Sequence, residues 1–178
     1  SAFAEQYRDR IRFYEYLQFL FWKQWTVLKT YVNALGIRLI GDLPIYVAMD
    51  SADTWSETQF FALGEDLVPK EVAGVPPDYF SEEGQLWGNP LYDWEAMKRD
   101  GYGWWIRRME GTKKRVDMVR IDHFRAFESY WAVPYGAASA KEGVWRPGPG
   151  MDLLRVLKDW FYDVSYIAED LGILTPEV

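Results

Sequence analysis

Three short apolar segments, each running into a carboxylate and separated from the next by a helical segment, constrain the fold more than any other feature. They lie within 37–46, 116–122 and 164–172, and their acids are Asp42, Asp122 and Glu169. Strands that alternate with helices form parallel βαβ units with right-handed crossovers. The carboxyl ends of such strands meet around one mouth of a barrel, so we expect the three acids to converge.

The central segment, 116–122, predicts a short packed strand with a polar end. Side chains alternate along a strand, so Arg120 and Asp122 share one face. A neighbouring guanidinium favours the ionised carboxylate. An oriented, ionised carboxylate is what a nucleophile needs for attack at the anomeric carbon of a sugar. The alternative is a structural ion pair that closes the strand.

The N-terminal segment 5–35 predicts one long helix. Apolar side chains recur there at spacings of three and four: Tyr14, Leu17, Phe21, Trp25, Leu28, Val32 and Leu35. We expect this helix to be heavily buried and to end at Gly36.

Two stretches, 47–93 and 134–150, show few regular signals and are interpreted as insertions. The run 72–90 predicts a long loop rich in turn residues, and it carries Tyr79, Phe80 and Trp87. It is either an aromatic-anchored surface loop or a lid that stacks on a ligand.

Composition narrows the classes of partner. The net charge of −7 without a basic stripe argues against nucleic acid. Paired carboxylates can bind Mg²⁺ or Ca²⁺, but Arg120 already compensates Asp122, and a single histidine excludes multi-His sites, so we expect no metal and no cofactor. The sequence contains no apolar run of 18 residues, so we predict no membrane span. The absence of cysteine fits a reducing, cytoplasmic compartment. Aromatic residues make up 18% of the chain and supply platforms on which sugar rings stack.

Four motifs resemble the 4-α-glucanotransferases, also called amylomaltases or disproportionating enzymes, of the α-amylase clan. They are Gly-Asp-Leu-Pro-Ile-Tyr-Val at 41–47, Gly-Val-Pro-Pro-Asp-Tyr-Phe-Ser at 74–81, Arg-Ile-Asp-His-Phe-Arg at 120–125 and Ile-Ala-Glu-Asp-Leu-Gly at 167–172. The resemblance covers essentially the whole chain, including Leu-Trp-Gly-Asn-Pro at 86–90. It implies an α/β fold in which residues 1–178 form the central fragment of a (β/α)8 TIM barrel, about strands 3 to 5, since a complete barrel needs about 250 residues.

The resemblance also implies an activity and a role for each site residue. Asp122 would be the nucleophile and Glu169 the general acid/base of a retaining transfer of α-1,4-glucan segments to the 4-hydroxyl of an acceptor glucan. The residues implied to bind maltooligosaccharide are Arg120, His123, Asp42, Tyr79, Phe80, Gln85 and Trp87.

A third acid of the family, an Asp after barrel strand 7, is not in this sequence, so we expect the chain alone to be inactive and to self-associate through exposed edges. The alternatives left open are an α-glucan hydrolase of the same clan and a non-catalytic glucan-binding fragment.

Overall fold

The computed structural model describes residues 2–171 and 174–178 and shows a mixed α/β fold. Its helices are α1 (Ala2–Gln6), α2 (Arg8–Ala34), α3 (Ala52–Ser56), α4 (Trp94–Arg99), α5 (Gly103–Arg115) and α6 (Met151–Trp160). Its strands are β1 (Ile40–Leu43), β2 (Glu71–Val75), β3 (Gln85–Pro90), β4 (Met118–Ile121), β5 (Ser129–Pro134), β6 (Val144–Pro147) and β7 (Ser165–Ala168).

The three acid-bearing segments form one parallel sheet in the order β1-β4-β7. Each strand is shorter than its apolar segment, and the last predicted residue of the third, Gly172, lies outside the described residues. One face of β4 is packed, because Val119 and Ile121 are 1% and 2% exposed within the main core. Arg120 lies on the opposite, half-buried face. The predicted alternation of side chains along β4 is therefore confirmed: one face of the strand packs on the core, and the other carries Arg120.

The core behind the sheet is rich in aromatic rings. Trp105 of α5 is fully buried and packs edge-on against Phe127, with ring centroids 5.3 Å apart. Leu153 and Leu157 of α6 join the same cluster. Burial of such side chains contributes about 1.5–3 kcal/mol each. This packing fixes α5 and α6 against the apolar face of the sheet. The sheet is thereby held rigid, and the acids that follow its strands keep fixed positions relative to one another.

Most of the predicted N-terminal helix is present as α2, but it is not continuous: residues 5–6 belong to α1, and Tyr7 separates the two helices. Gly36 follows α2 with a positive φ of 79°. The predicted burial of this helix is wrong: none of its residues is buried, and Tyr14 is 56% exposed. Large apolar side chains occur on all sides of this helix, so packing along one face cannot bury all of them. The observed side-chain attachments are hydrogen bonds near the start of β4, such as the one from Trp25 Nε1 to the Arg115 carbonyl at 2.8 Å.

The two stretches interpreted as irregular insertions fold together, which corrects the sequence interpretation. β2 and β3 come from the first stretch, β6 comes from the second, and with β5 they form one antiparallel sheet in the order β3-β2-β5-β6. The predicted long loop at 72–90 is instead a β2–β3 hairpin whose tip spans 76–84. Gly74 is required there, because a Cβ atom would stand 2.7 Å from the Gln85 carbonyl oxygen.

Candidate active site

The side chain of Arg120 lies at the centre of the three strand-end acids. Its Nη1 donates to Asp42 Oδ1 at 2.6 Å and to Asp122 Oδ1 at 3.1 Å, and its Nη2 lies 3.0 Å from Glu169 Oε1. Residues 42 and 120 face each other in the β1–β4 register, which explains the short contact. The hydrogen bond to Asp42 is the main reason why the pKa of Arg120 is raised, and the charges of Asp42 and Glu169 add to it.

Asp122 and Glu169 are positioned by the same backbone device. Each follows the last residue of its strand, and each amide donates to the last carbonyl of the neighbouring strand in the sheet, β1 for Asp122 and β4 for Glu169. The Asp122 N–H bonds to Leu43 O at 3.1 Å, and the Glu169 N–H bonds to Ile121 O at 3.1 Å. Because each bond extends the parallel ladder by one step, both carboxylates leave the sheet on its polar face.

The two acids differ in how far solvent reaches them. The Asp122 side chain is 39% exposed, whereas that of Glu169 is 13% exposed. Glu169 also accepts a 2.5 Å hydrogen bond from the His123 amide through Oε2. Asp122 can therefore be approached by a ligand, while Glu169 is held from two sides.

His123 is unusual in its backbone and in its charge. It adopts the left-handed region with φ 51° and ψ 44°, a conformation that is uncommon for non-glycine residues, and this directs its amide to Glu169. The pKa of His123 is lowered to about 4, mainly by burial; the nearby Arg125 charge contributes to this shift and Asp122 opposes it. The imidazole is therefore neutral at pH 7 and can both donate and accept a hydrogen bond.

Trp87 forms a wall beside this histidine. Its ring packs edge-on against the His123 ring, with centroids 4.9 Å apart, and its Nε1 donates to Gln85 Oε1 at 3.0 Å. Trp87 and Asp122 line one small open cleft of about 190 Å³, and Gln85 and His123 contact Trp87. The cleft is lined by Pro44, Ile45, Tyr46, Trp87, Asn89 and Asp122.

Four of these lining residues were not singled out from the sequence. Pro44, Ile45 and Tyr46 follow β1 directly, and Asn89 precedes the end of β3. They lie inside the motifs at 41–47 and 86–90, so the signal was present, but no charge or periodicity distinguished them. The side-chain amide of Asn89 donates from Nδ2 to the Val47 carbonyl at 2.9 Å, which joins the hairpin to the segment that follows β1.

Tyr79 and Phe80 lie at the hairpin tip and extend into solvent. They are 97% and 91% exposed, so the structure does not bring them against the acids. The tip itself is ordered by Asp78, whose Oδ1 accepts the amides of Phe80 and Ser81 at 2.9 Å each. This arrangement displays two aromatic faces on a fixed turn.

The arrangement suits displacement at a glycosidic carbon. It pairs one accessible carboxylate with one restrained carboxylate beside a cleft with a tryptophan wall. Within 2–171 and 174–178, no group of three or more His, Asp or Glu side chains could hold a metal ion. Nor is any helix in that part of the chain long and apolar enough to cross a membrane.

Comparisons with known proteins agree over the entire chain. A family model described as 4-alpha-glucanotransferase matches residues 1–178. The 4-alpha-glucanotransferase of Thermus thermophilus is 50% identical over 178 residues, which are 100% of this chain and 35% of that protein. The chloroplastic/amyloplastic 4-alpha-glucanotransferase of Solanum tuberosum is 46% identical over 181 residues, covering 100% of this chain and 31% of the relative.

A solved structure shows the same fold. The amylomaltase from Streptococcus agalactiae in complex with acarbose superposes with a TM-score of 0.95 at 41% identity, covering 98% of this chain and 35% of that one. The chain thus spans about a third of the length of the proteins it matches.

Proposed function

The chain belongs to the 4-alpha-glucanotransferase family, and from this premise we propose that the complete enzyme moves α-1,4-glucan segments between sugars. The donor is an α-1,4-glucan, and the acceptor is the 4-hydroxyl of another glucan or of glucose. One observation carries the proposal: Asp122 and Glu169, 47 positions apart in the sequence, contact the same guanidinium at neighbouring strand ends.

The proposed mechanism is a double displacement that retains anomeric configuration. Asp122 attacks the anomeric carbon while Glu169 protonates the leaving glycosidic oxygen, which gives a covalent glucosyl-enzyme. Glu169 then takes the proton of the acceptor 4-hydroxyl, and that oxygen displaces Asp122. Arg120 orients Asp122 and compensates its charge whenever Asp122 is a free carboxylate. Glu169 must exchange its contact with Arg120 for the glycosidic oxygen as the sugar enters.

Substrate contacts are proposed for the residues around these two acids. Asp42 and the neutral His123 would hydrogen-bond sugar hydroxyls, while Gln85 and Trp87 would line the glucan groove. Tyr79 and Phe80 would stack on the glucan from above, and water excluded by these rings would favour transfer over hydrolysis.

We further propose that the parallel sheet is part of a (β/α)8 barrel. β1, β4 and β7 would be strands 3 to 5, and the antiparallel sheet would be an insertion over the barrel mouth. The third catalytic Asp of the family would come from outside this chain, so residues 1–178 alone would bind glucan without turning it over. The expected cytoplasmic location stays a prediction, because relatives from plants carry chloroplastic names.

The function is tested in a chimera in which residues 1–178 replace the matching segment of the Thermus thermophilus relative. Incubated with maltotriose, the chimera should produce a ladder of longer and shorter oligosaccharides with ping-pong kinetics. Asp122→Asn should lower kcat by on the order of 10³-fold or more, because a carboxamide is a poor nucleophile.

The matched control is Asp163→Asn, which removes a surface carboxylate whose partner is Lys113. It should retain the activity of the unsubstituted chimera. Transfer that survives Asp122→Asn would refute the role of Asp122. Glucose release far above chain rearrangement would instead identify a hydrolase.

A further inference from the structure

The segment after β1 leaves the sheet while forming one wall of the cleft beside Asp122. Pro44, Ile45 and Tyr46 all line that cleft. Pro44 has no amide hydrogen and cannot continue the ladder. The carbonyl groups of this segment therefore need partners other than a neighbouring strand, because unpaired buried carbonyls are costly.

Two side chains supply those partners. Arg108 of α5 donates from Nη2 to Pro44 O at 2.5 Å and from Nη1 to Ile45 O at 3.0 Å. The Tyr92 hydroxyl donates to the same Ile45 carbonyl at 2.6 Å and accepts from Arg108 Nη1 at 3.2 Å. Burial raises the pKa of Tyr92 well above its ordinary value, so its hydroxyl stays protonated as a donor.

Arg108 is itself held rigidly. Its guanidinium lies over the rings of Trp104 and Trp105, at 5.2 and 5.1 Å from their centroids. Both tryptophans are buried in the main core, and a cation–π contact is stronger with a desolvated ring than with an exposed one. The position of the core helix is thereby transmitted to the Pro44 and Ile45 carbonyls.

The same group of residues supports the aromatic wall of the cleft. Tyr46 stacks on Tyr92 at 5.8 Å with an interplanar angle of 24°, and its other neighbour is Trp87 at 6.3 Å. Trp87 in turn contacts His123. The chain of contacts runs from Arg108 through Tyr92 and Tyr46 to the sugar-facing side.

We propose that Arg108 is a positioning residue for glucan binding, which acts by fixing the Pro44–Tyr46 wall beside Asp122 through its two carbonyl hydrogen bonds and Tyr92. The proposal rests on the proposed function of the site. Arg108 does not touch the sugar, and its removal should misplace the wall. A displacement of about 1 Å at a binding wall can cost up to about 10²-fold in rate.

The test compares two adjacent arginines in the chimera described above. Arg108→Met keeps an unbranched stem on the tryptophan rings but removes the donors. Arg107→Met removes the same charge from an exposed neighbour that pairs with Glu57, and so serves as the control. With maltotriose, Arg108→Met should raise KM at least about tenfold while lowering kcat less, with an unchanged pH profile. Arg107→Met should stay within about twofold of the unsubstituted chimera.

Two further variants separate positioning from folding. Arg108→Lys should recover part of the KM loss, because an ammonium can still donate to one carbonyl. Tyr92→Phe keeps the ring but removes one donor to Ile45 O, and it should raise KM about two- to fivefold. All assays are made well below the melting temperature of each variant.

The outcomes are distinct. If Arg108→Met or Tyr92→Phe is folded and has the KM of the Arg107→Met control, the proposal is overturned and the contact is structural only. If Arg108→Met does not fold, Tyr92→Phe alone decides between these results. A folded, unsubstituted chimera without transfer activity would contradict the proposed function. The Kd for maltotriose of the Arg108→Met and Arg107→Met variants would then decide the role of Arg108, and equal Kd values would overturn it.

Discussion

At the scale of single residues, the chemistry depends on charge states that the fold imposes. His123 is the one histidine of the chain, and its pKa of about 4 lies below the ordinary 6.5. The unfolded chain therefore takes up the proton at a higher pH than the folded chain does. The stability that comes from the neutral, buried ring is present above pH 6.5 and is lost as the pH falls towards 4.

This predicts a pH dependence that one substitution removes. In the chimera, the unfolding free energy should fall by at most about 3 kcal/mol more between pH 7 and pH 4 than it does in His123→Gln. Urea unfolding at several pH values measures the difference, and other titrating groups cancel between the two proteins. Parallel pH profiles would show that His123 is not buried as described.

The residue pattern selected the three strand-end acids, and the resemblance to a known family supplied the roles proposed for Asp122 and Glu169. The placing of Arg120 and Asp122 on one face followed from strand alternation alone. The contact of Arg120 with Glu169 did not, because it depends on which strands are neighbours. The cleft residues Tyr46 and Asn89 were missed because apolar and amide side chains in a motif give no chemical signal of their own.

At the scale of elements, one carboxylate next to β4 makes several of the contacts that attach α2 to the sheet. Asp117 accepts hydrogen bonds from Asn33 Nδ2 and the Leu39 amide at 2.8 Å each, and it pairs with Lys29 at 3.2 Å. Burial pushes the pKa of Asp117 upward, but these donors outweigh it and leave the pKa below its ordinary value.

Asp117→Asn should therefore loosen the whole helix. The loss of a charged acceptor with three partners should lower the unfolding free energy by about 1–3 kcal/mol. Asp163→Asn, which breaks one exposed pair with Lys113, should change it by less than about 1 kcal/mol. Denaturant unfolding of the two chimeras distinguishes them, and equal stabilities would show that α2 is held by other contacts.

The hairpin tip carries a second prediction at this scale. Replacing Tyr79 and Phe80 by alanine should raise the ratio of glucose release to transfer by about tenfold, because water then reaches the glucosyl-enzyme. Tyr162→Ala, which removes a ring that is 86% exposed elsewhere, is the control and should leave the ratio unchanged. Product chromatography after incubation with maltotriose gives both rates. An unchanged ratio in the double variant would remove the lid from the mechanism.

The antiparallel sheet was missed for a physical reason. Its strands pair across long separations, as in the register of Glu71 with Pro134. Pro90, Pro134 and Pro147 are the last residues of β3, β5 and β6, where a missing amide donor costs little, so these prolines end strands and do not exclude them. Local patterns therefore predicted turns correctly but not the ladder between them.

At the scale of the whole molecule, the described chain leaves much apolar surface uncovered. Among residues 2–171 and 174–178, no strand pairs with the outer edges of β1 and β7. On the polar face of the sheet, Ile40 is 59% exposed, and α2 exposes further rings such as Phe19 at 59%. The sequence predicted an apolar helix but could not show what it packs against, since an apolar pattern does not name its partner.

The isolated chain should therefore associate with itself. Sedimentation or light scattering should give a mass above the 20.9 kDa of one chain at micromolar concentration, because free strand edges and exposed rings favour pairing. Lys substitutions at Phe19 and Ile40 should shift the mass towards that of one chain, whereas Lys at Tyr162 should not. A single-chain mass without any substitution would contradict the expectation.

Arg120 spans three strands, and this has a consequence for how the molecule is assembled. If β4 slid by one residue, Val119 or Ile121 would stand where the guanidinium stands, and the cation would turn towards hydrocarbon. The register that buries the apolar side chains of β4 is thus the same register that places Arg120 among the three acids. A protein with a shifted β4 register would be inactive as well as unstable, so the transfer activity of the chimera is a measure of correct strand pairing.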